Sequence, residues 1–171
     1  MKKHITIIAL AMLSLATLFS GCKKDEPDQP ETKEKYVVRY ELSNIQQMVH
    51  PLTGDTITFT ISPCFKANFT YTDANGQTKE MTNVALPWSE EITVEAPFNA
   101  KLEGSLNYEV SELPEEVTWG TVYGIFYKRV EEQVFSGRLS GQAGTSDKET
   151  FIQHMESHPN RLKFSQEFSI E

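Results

Sequence analysis

Apolar and polar residues alternate along several stretches of this chain, and the first stretch begins at Tyr36. From Tyr36 to Leu42 every second residue is aromatic or aliphatic, and Arg39 and Glu41 stand between them. Successive side chains of a strand point to opposite faces, so this alternation predicts a strand with one buried face. Similar stretches predict further strands at 56–61, 65–72, from 77 onward, and at 92–94, 101–110, 121–127, 134–139 and 162–170.

The sequence Asp73-Ala74-Asn75-Gly76 after the strand at 65–72 predicts a β-hairpin. Asn-Gly is typical of type I′ turns, so we expect left-handed backbone at both Asn75 and Gly76. A calcium loop is the alternative interpretation. It is disfavoured because Tyr71 and Thr82 occupy the positions where an EF-hand places its first and last carboxylates.

The segment 146–159 is predicted to form a short helix. Ser146 with Glu149 forms a capping box, Phe151 and Met155 give an apolar stripe, and Pro159 ends the helix. Many short strands with turn signals and a single helix indicate an all-β fold, an antiparallel β-sandwich with one short helix near the C-terminus.

The first 22 residues are typical of an export signal. Lys2 and Lys3 precede 15 uncharged residues, 5–19, which are too few for a comfortable bilayer span. The following Leu18-Phe19-Ser20-Gly21-Cys22 resembles the lipobox of bacterial lipoproteins, although Phe19 stands where the pattern usually has Leu. The resemblance implies a signal peptide at 1–21 and acylation of Cys22 by chains such as palmitate. The alternatives are an uncleaved membrane helix and a cleaved signal with an unmodified Cys22.

Residues 22–35 are predicted to form a lipidated, charged and flexible tether, followed by a β-sandwich domain at 36–171. Lys23, Lys24, Asp25 and Glu26 directly follow the cysteine and resemble the export signal of surface lipoproteins in Bacteroidota. That resemblance implies a protein anchored in the outer membrane and facing the cell exterior. A plain solvated tether on the periplasmic face is the alternative.

Four segments within residues 36–110 resemble small Bacteroidota lipoproteins with an MmpS-like, immunoglobulin-like β-sandwich. They are YVVRY at 36–40, FTYTDANG at 69–76, NVALPW at 83–88 and ITVEAPFNAKL at 92–102. The resemblance implies an immunoglobulin-like fold. It brings no catalytic residues, and MmpS proteins themselves are accessory subunits of membrane transporters.

The charge and the ionisable residues favour binding over catalysis. The formal net charge of −8 argues against a nucleic-acid partner. His154 and His158 lack the His-Glu-x-x-His pattern of a zinc enzyme, and Cys64, beside Pro63 and Phe65, is expected to be a buried, inert thiol. We therefore expect no catalytic residues, no metal and no cofactor.

The expected function is that of a non-catalytic, lipid-anchored envelope protein acting as a surface-exposed binding or assembly module. Its membrane contact would be the N-terminal acyl chains, and its partner another envelope protein, an extracellular glycan or a host protein. The alternative is a periplasm-facing accessory subunit of a membrane transporter, with an enzyme as a distant third.

Thr56 is a candidate for O-glycosylation. Asp55-Thr56-Ile57 matches the Asp-Ser/Thr-apolar pattern of Bacteroidota O-glycosylation and lies in a predicted turn. A sugar transferase could reach a residue in such a turn.

The Cys22→Ser variant is expected to lose its acyl chains and to be released from membranes, because serine offers no thiol for the diacylglycerol. Metabolic labelling with an alkynyl fatty acid, followed by fractionation, measures both effects. A Cys22→Ser chain that still carries the label would contradict lipidation at this residue.

Overall fold

The computed structural model describes residues 33–171, so the predicted signal peptide, Cys22 and the Lys23–Glu26 signal lie outside the described residues. The described part is built from eleven strands, one 3₁₀ turn and one helix. The strands are β1 (Lys35–Ser43), β2 (Ile45–Val49), β3 (Thr56–Thr60), β4 (Lys66–Thr72), β5 (Thr78–Ala85), β6 (Trp88–Glu95), β7 (Phe98–Asn107), β8 (Glu116–Arg129), β9 (Ser136–Gly137), β10 (Ser140–Asp147) and β11 (Lys163–Ile170). The 3₁₀ turn is Val110–Glu112, and the helix α1 is Lys148–Ser157.

The strands form two main antiparallel sheets that face each other, which confirms the predicted all-β sandwich. One sheet has the order β10-β8-β1-β6, with β9 continuing along the edge of β8, and the other has the order β11-β7-β4-β5. The neighbours β1–β6 and β5–β4–β7–β11 correspond to B–E and C′–C–F–G of an immunoglobulin sandwich. Strand β8 takes the place beside β1 that strand A would occupy.

The predicted alternation on β1 is confirmed, because Tyr36, Val38, Tyr40 and Leu42 are all buried. The same holds for β4, where Ala67, Phe69 and Tyr71 are buried between the sheets. Each strand therefore contributes one side-chain face to a shared core.

The hairpin between β4 and β5 is confirmed, but its predicted turn type is wrong. Gly76 has a φ of +74°, whereas the φ of Asn75 is not positive. The Gly76 amide donates to the Asp73 carbonyl (2.9 Å) and the Asp73 amide to the Gln77 carbonyl (2.8 Å). This is a three-residue loop with glycine in the left-handed position, for which one residue of positive φ suffices.

Helix α1 is confirmed, with its N-cap one residue later than predicted. Asp147, not Ser146, caps the helix, since its carboxylate accepts from the Thr150 amide (2.8 Å). This hydrogen bond lowers the pKa of Asp147. The apolar stripe packs as expected. Phe151 is fully buried at one end of the sandwich, with ring centroids 5.8 Å from Phe65 and 5.0 Å from Tyr108.

The strand predicted at 134–139 is mostly wrong. Only Ser136–Gly137 pairs there, opposite Phe126 and Tyr127. The main return strand is β10, which pairs with β8 from Ser140 to Asp147. It has no large apolar residue, so hydrophobic alternation could not reveal it. Strand β2 was not predicted either.

The Gly76→Val variant is expected to lower the urea midpoint of the 23–171 fragment. A Cβ at Gly76 would meet no heavy atom within 4 Å, so the cost comes from the positive φ alone. Strain of this kind costs about 1–3 kcal/mol. Ala74→Val, at an exposed position of the same turn, is the control and should be much milder. Equal midpoints for both variants and the wild type would contradict the turn geometry.

Candidate functional site

Strands β2 and β3 form a separate two-stranded ribbon between β1 and β4, which we call the arm (residues 44–60). Their antiparallel register runs from Ile45 opposite Thr60 to Val49 opposite Thr56. The tip is closed by two hydrogen bonds, in which the His50 amide donates to the Asp55 carbonyl (2.8 Å) and the Gly54 amide to the His50 carbonyl (2.9 Å). Gly54 supplies the left-handed residue that this tip needs, with a φ of +75°.

The arm exposes apolar side chains that a folded domain normally buries. Leu52 at the tip is 89% exposed and Val49 is 67% exposed. Three further arm residues are also exposed, namely Ile45, Met48 and Ile57. Val49 and Ile45 lie on one face of the ribbon and Met48 and Ile57 on the other, so exposed apolar groups cover both faces, as is typical of an interaction surface.

The arm is also almost free of charge. Residues 44–60 contain one acid, Asp55, and no Lys or Arg, although the whole chain has a net charge of −8. Depletion of charge together with exposed aliphatic groups is the composition found at the centre of protein interfaces.

The two faces of the arm have different surroundings. Gln46 and Phe59 are opposite each other and half-buried, and the Gln46 side-chain amide donates to the Gly141 carbonyl on β10 (3.4 Å). This contact places the Gln46 face toward the sandwich. The other face carries Val49, Thr56 and Thr58 and is exposed.

A groove of about 610 Å³ lies where the arm joins the sandwich. We call it the arm groove. Its walls are β2 on one side and the segment between β9 and β10 on the other, and its lining residues are Ser43, Ile45, Gln46, Gln47, Val122, Arg138, Leu139, Ser140 and Gly141. The volume is within the range of ligand pockets, which is about 300–1,000 Å³.

The chemistry of the arm groove suits recognition by hydrogen bonds and apolar contacts. Its lining residues offer amides, hydroxyls, aliphatic groups and the Arg138 guanidinium, and of these described residues only Arg138 is charged. The Gln46 Oε1 atom is buried and has no hydrogen-bond partner among the described residues. An unsatisfied buried acceptor costs free energy that an incoming N–H or O–H donor would recover.

The edge of β2 that borders the groove is unpaired. Within residues 33–171, β2 pairs with no strand other than β3. An unpaired edge presents a row of backbone donors and acceptors to which another strand can add.

None of the other candidate residues described by the structure lines the arm groove, although Thr56 lies on the arm itself. Thr56 is exposed at the start of β3, a position compatible with the glycosylation that remains a prediction. His154 and His158 stack with their ring centroids 4.7 Å apart, and Trp119 lies 5.4 Å from His154. Across residues 33–171, no group of three or more His, Cys, Asp or Glu side chains could hold a metal ion. Burial raises the pKa of the half-buried Cys64 thiol.

The sequence predicted β3 as the strand at 56–61, but it did not predict β2, the pairing of the two strands as an arm, or the arm groove. The signal was present in the long uncharged segment after Glu41, which continues up to Asp55 apart from a single histidine. The Gly137–Gly141 segment forms the far wall, but it has no recognisable catalytic motif and gave no reason to connect it with β2.

Comparison with family models and with curated proteins finds no match for this chain. In the part of the chain that the structure describes, no helix has the length and apolar character needed to cross a membrane.

The Leu52→Ala variant is expected to leave the free energy of unfolding within about 0.5 kcal/mol of the wild type, as for a surface substitution. The matched control is Leu102→Ala, at a fully buried leucine in β7. Truncation there should cost about 2–5 kcal/mol. Urea unfolding measures the free energy of unfolding of both variants. A similar loss of stability in Leu52→Ala and Leu102→Ala would show that Leu52 packs against the domain.

Proposed function

We propose that this protein is a non-catalytic, lipid-anchored envelope protein that uses the arm as a binding or assembly surface outside the cell. The observation that carries the proposal is the exposed, nearly uncharged arm with an unpaired strand edge along a groove. A domain that had no partner would gain nothing from keeping Leu52 and Val49 in water.

The position of the arm along β1 supports its role as a contact surface. The preceding chain joins the sandwich at the Lys35 end of β1, whereas the arm begins directly after Ser43 at the other end. Strands rise about 3.4 Å per residue, so these two ends lie about 27 Å apart. The arm therefore emerges at the end of β1 opposite to the one that the preceding chain enters.

The side chains of the arm favour a protein partner over a glycan or a lipid surface. Its exposed apolar residues are aliphatic or a thioether, whereas sugars are commonly held by exposed aromatic rings. The two tryptophans of the chain pack against other rings outside the arm. The ring centroids of Trp88 and Phe69 lie 4.6 Å apart, and Trp119 packs on His154. Another envelope protein or a host protein therefore suits this surface best.

A photo-reactive amino acid at Leu52 of the full chain, activated on intact cells, should yield a discrete cross-linked product. The matched control is the same amino acid at Val134, which is 77% exposed in the turn after β8. That turn lies at the opposite end of the sandwich, because Arg129 pairs with Tyr36.

A product from Leu52 and not from Val134 supports the proposal, and its composition identifies the partner by mass spectrometry. A subunit of an inner-membrane transporter in that product would instead favour the periplasm-facing accessory role. The absence of a product specific to Leu52 would contradict the binding role of the arm.

A further inference from the structure

The unpaired edge of β2 is compatible with pairing to a second copy of itself. Antiparallel pairing of two identical strands has a two-fold axis, and centring it on Gln47 places Ile45 of each copy opposite Val49 of the other. Gln47 then lies opposite Gln47, and Gln46 opposite Met48. Aliphatic residues meet aliphatic residues, and the two central amides can hydrogen-bond to each other.

The absence of charge on its strands favours the arm as a place where two such acidic chains can meet. Other edge strands carry carboxylates, for example Glu90 and Glu91 on β6 and Glu167 on β11. Like charges brought together across an interface are strongly unfavourable. Strands β2 and β3 have no charged residue, so pairing there juxtaposes no carboxylates.

The arm groove distinguishes β2 from the equally uncharged β3. The groove lies along β2, and its buried Gln46 Oε1 atom lacks a donor among the described residues. In the register centred on Gln47, Val49 of the second copy lies opposite Ile45, and its tip, where the chain turns between His50 and Asp55, follows beside Ser43. Its tip therefore enters the arm groove, where Val122 and Leu139 offer an apolar wall to Leu52.

The single charges at the two ends of this contact are complementary. Arg138 is the one charged residue among those lining the groove, and Asp55 is the one acid of the arm. In a two-fold arrangement each groove receives the tip of the other copy. The Asp55 carboxylate of each copy is then brought toward the Arg138 guanidinium of the other.

We propose that two copies of this chain associate by antiparallel pairing of their β2 strands, each arm tip entering the arm groove of the other. The inference rests on the proposed role of the arm as a contact surface. A glycan on Thr56 would leave this pairing possible, since Thr56 lies on β3 rather than on the β2 edge.

Cysteine cross-linking in intact cells tests this arrangement with the full chain in a Cys64→Ala background. Gln47→Cys would place its two sulfurs across the two-fold axis, within the short distance that a disulfide requires, so mild oxidation should give a dimer on a non-reducing gel. The control is Thr58→Cys, which is exposed, faces Gln47 on β3 and lies on the same side of the arm. We expect at least about fivefold more dimer from Gln47→Cys than from Thr58→Cys, because only the former lies on the axis.

Three other results would be informative. Equal or no dimer from the two variants would overturn pairing through β2, as would a disulfide from Gln47→Cys to a different protein. Cys22 is the one cysteine left in the Cys64→Ala parent, so a disulfide dimer of that parent would show that Cys22 is not acylated. That result would contradict the proposed anchor. The excess of dimer in Gln47→Cys over Thr58→Cys would still test pairing through β2.

A charge substitution gives a second readout that does not depend on disulfide formation. Gln47→Glu would place two carboxylates face to face at the axis, so the detergent-solubilised full chain should sediment as a monomer. Thr58→Glu adds the same charge to β3 and should remain dimeric. Retention of the dimer by Gln47→Glu, or its loss in both variants, would overturn the proposed register.

Discussion

The alternating burial of β1 is the constraint on which the rest of this structure depends. This strand lies between β6 and β8 in one sheet, and its inward side chains form much of the core. Tyr40 at its centre is fully buried, and its hydroxyl donates to the Thr72 carbonyl of the facing sheet (2.8 Å). Burial holds the pKa of Tyr40 well above its ordinary value, since the phenolate would lose its hydration there. The same strand fixes where the arm emerges, because β2 begins two residues after it ends.

Elements that bury large side chains could be predicted from the sequence, and elements held by backbone contact could not. Strands β1 and β4 place apolar residues at every second position, and β11 does so except at Gln166, so their period is visible. Strand β10 reads Ser-Gly-Gln-Ala-Gly-Thr-Ser-Asp and has no such period. It is defined by its partner β8, against which Gly144 lies so close to the Trp119 ring that an added Cβ would come within 3.0 Å of it.

The smaller errors have a similar origin. Asn75-Gly76 suits more than one turn, and the choice depends on how β4 and β5 pair, which local sequence does not specify. The capping box centred on Ser146 and the cap formed by Asp147 differ by one residue, and both give a helix that buries Phe151. Strand β2 was missed because its five residues, Ile-Gln-Gln-Met-Val, do not alternate between apolar and polar. The groove was missed because Gln46 and Gly141 are 95 residues apart in sequence.

An exposed strand edge with apolar residues is a hazard, because any extended chain can add to it. The acidic body of this domain limits that hazard. Non-specific approach of a second copy brings carboxylates such as those of Glu90, Glu91 and Glu167 toward one another, and this repulsion opposes most orientations. An approach along the uncharged arm brings no carboxylates of β2 or β3 together, and the groove lies along β2 rather than β3. The net charge therefore opposes non-specific contacts between copies, and the absence of charge on β2 and β3 removes that opposition at the arm.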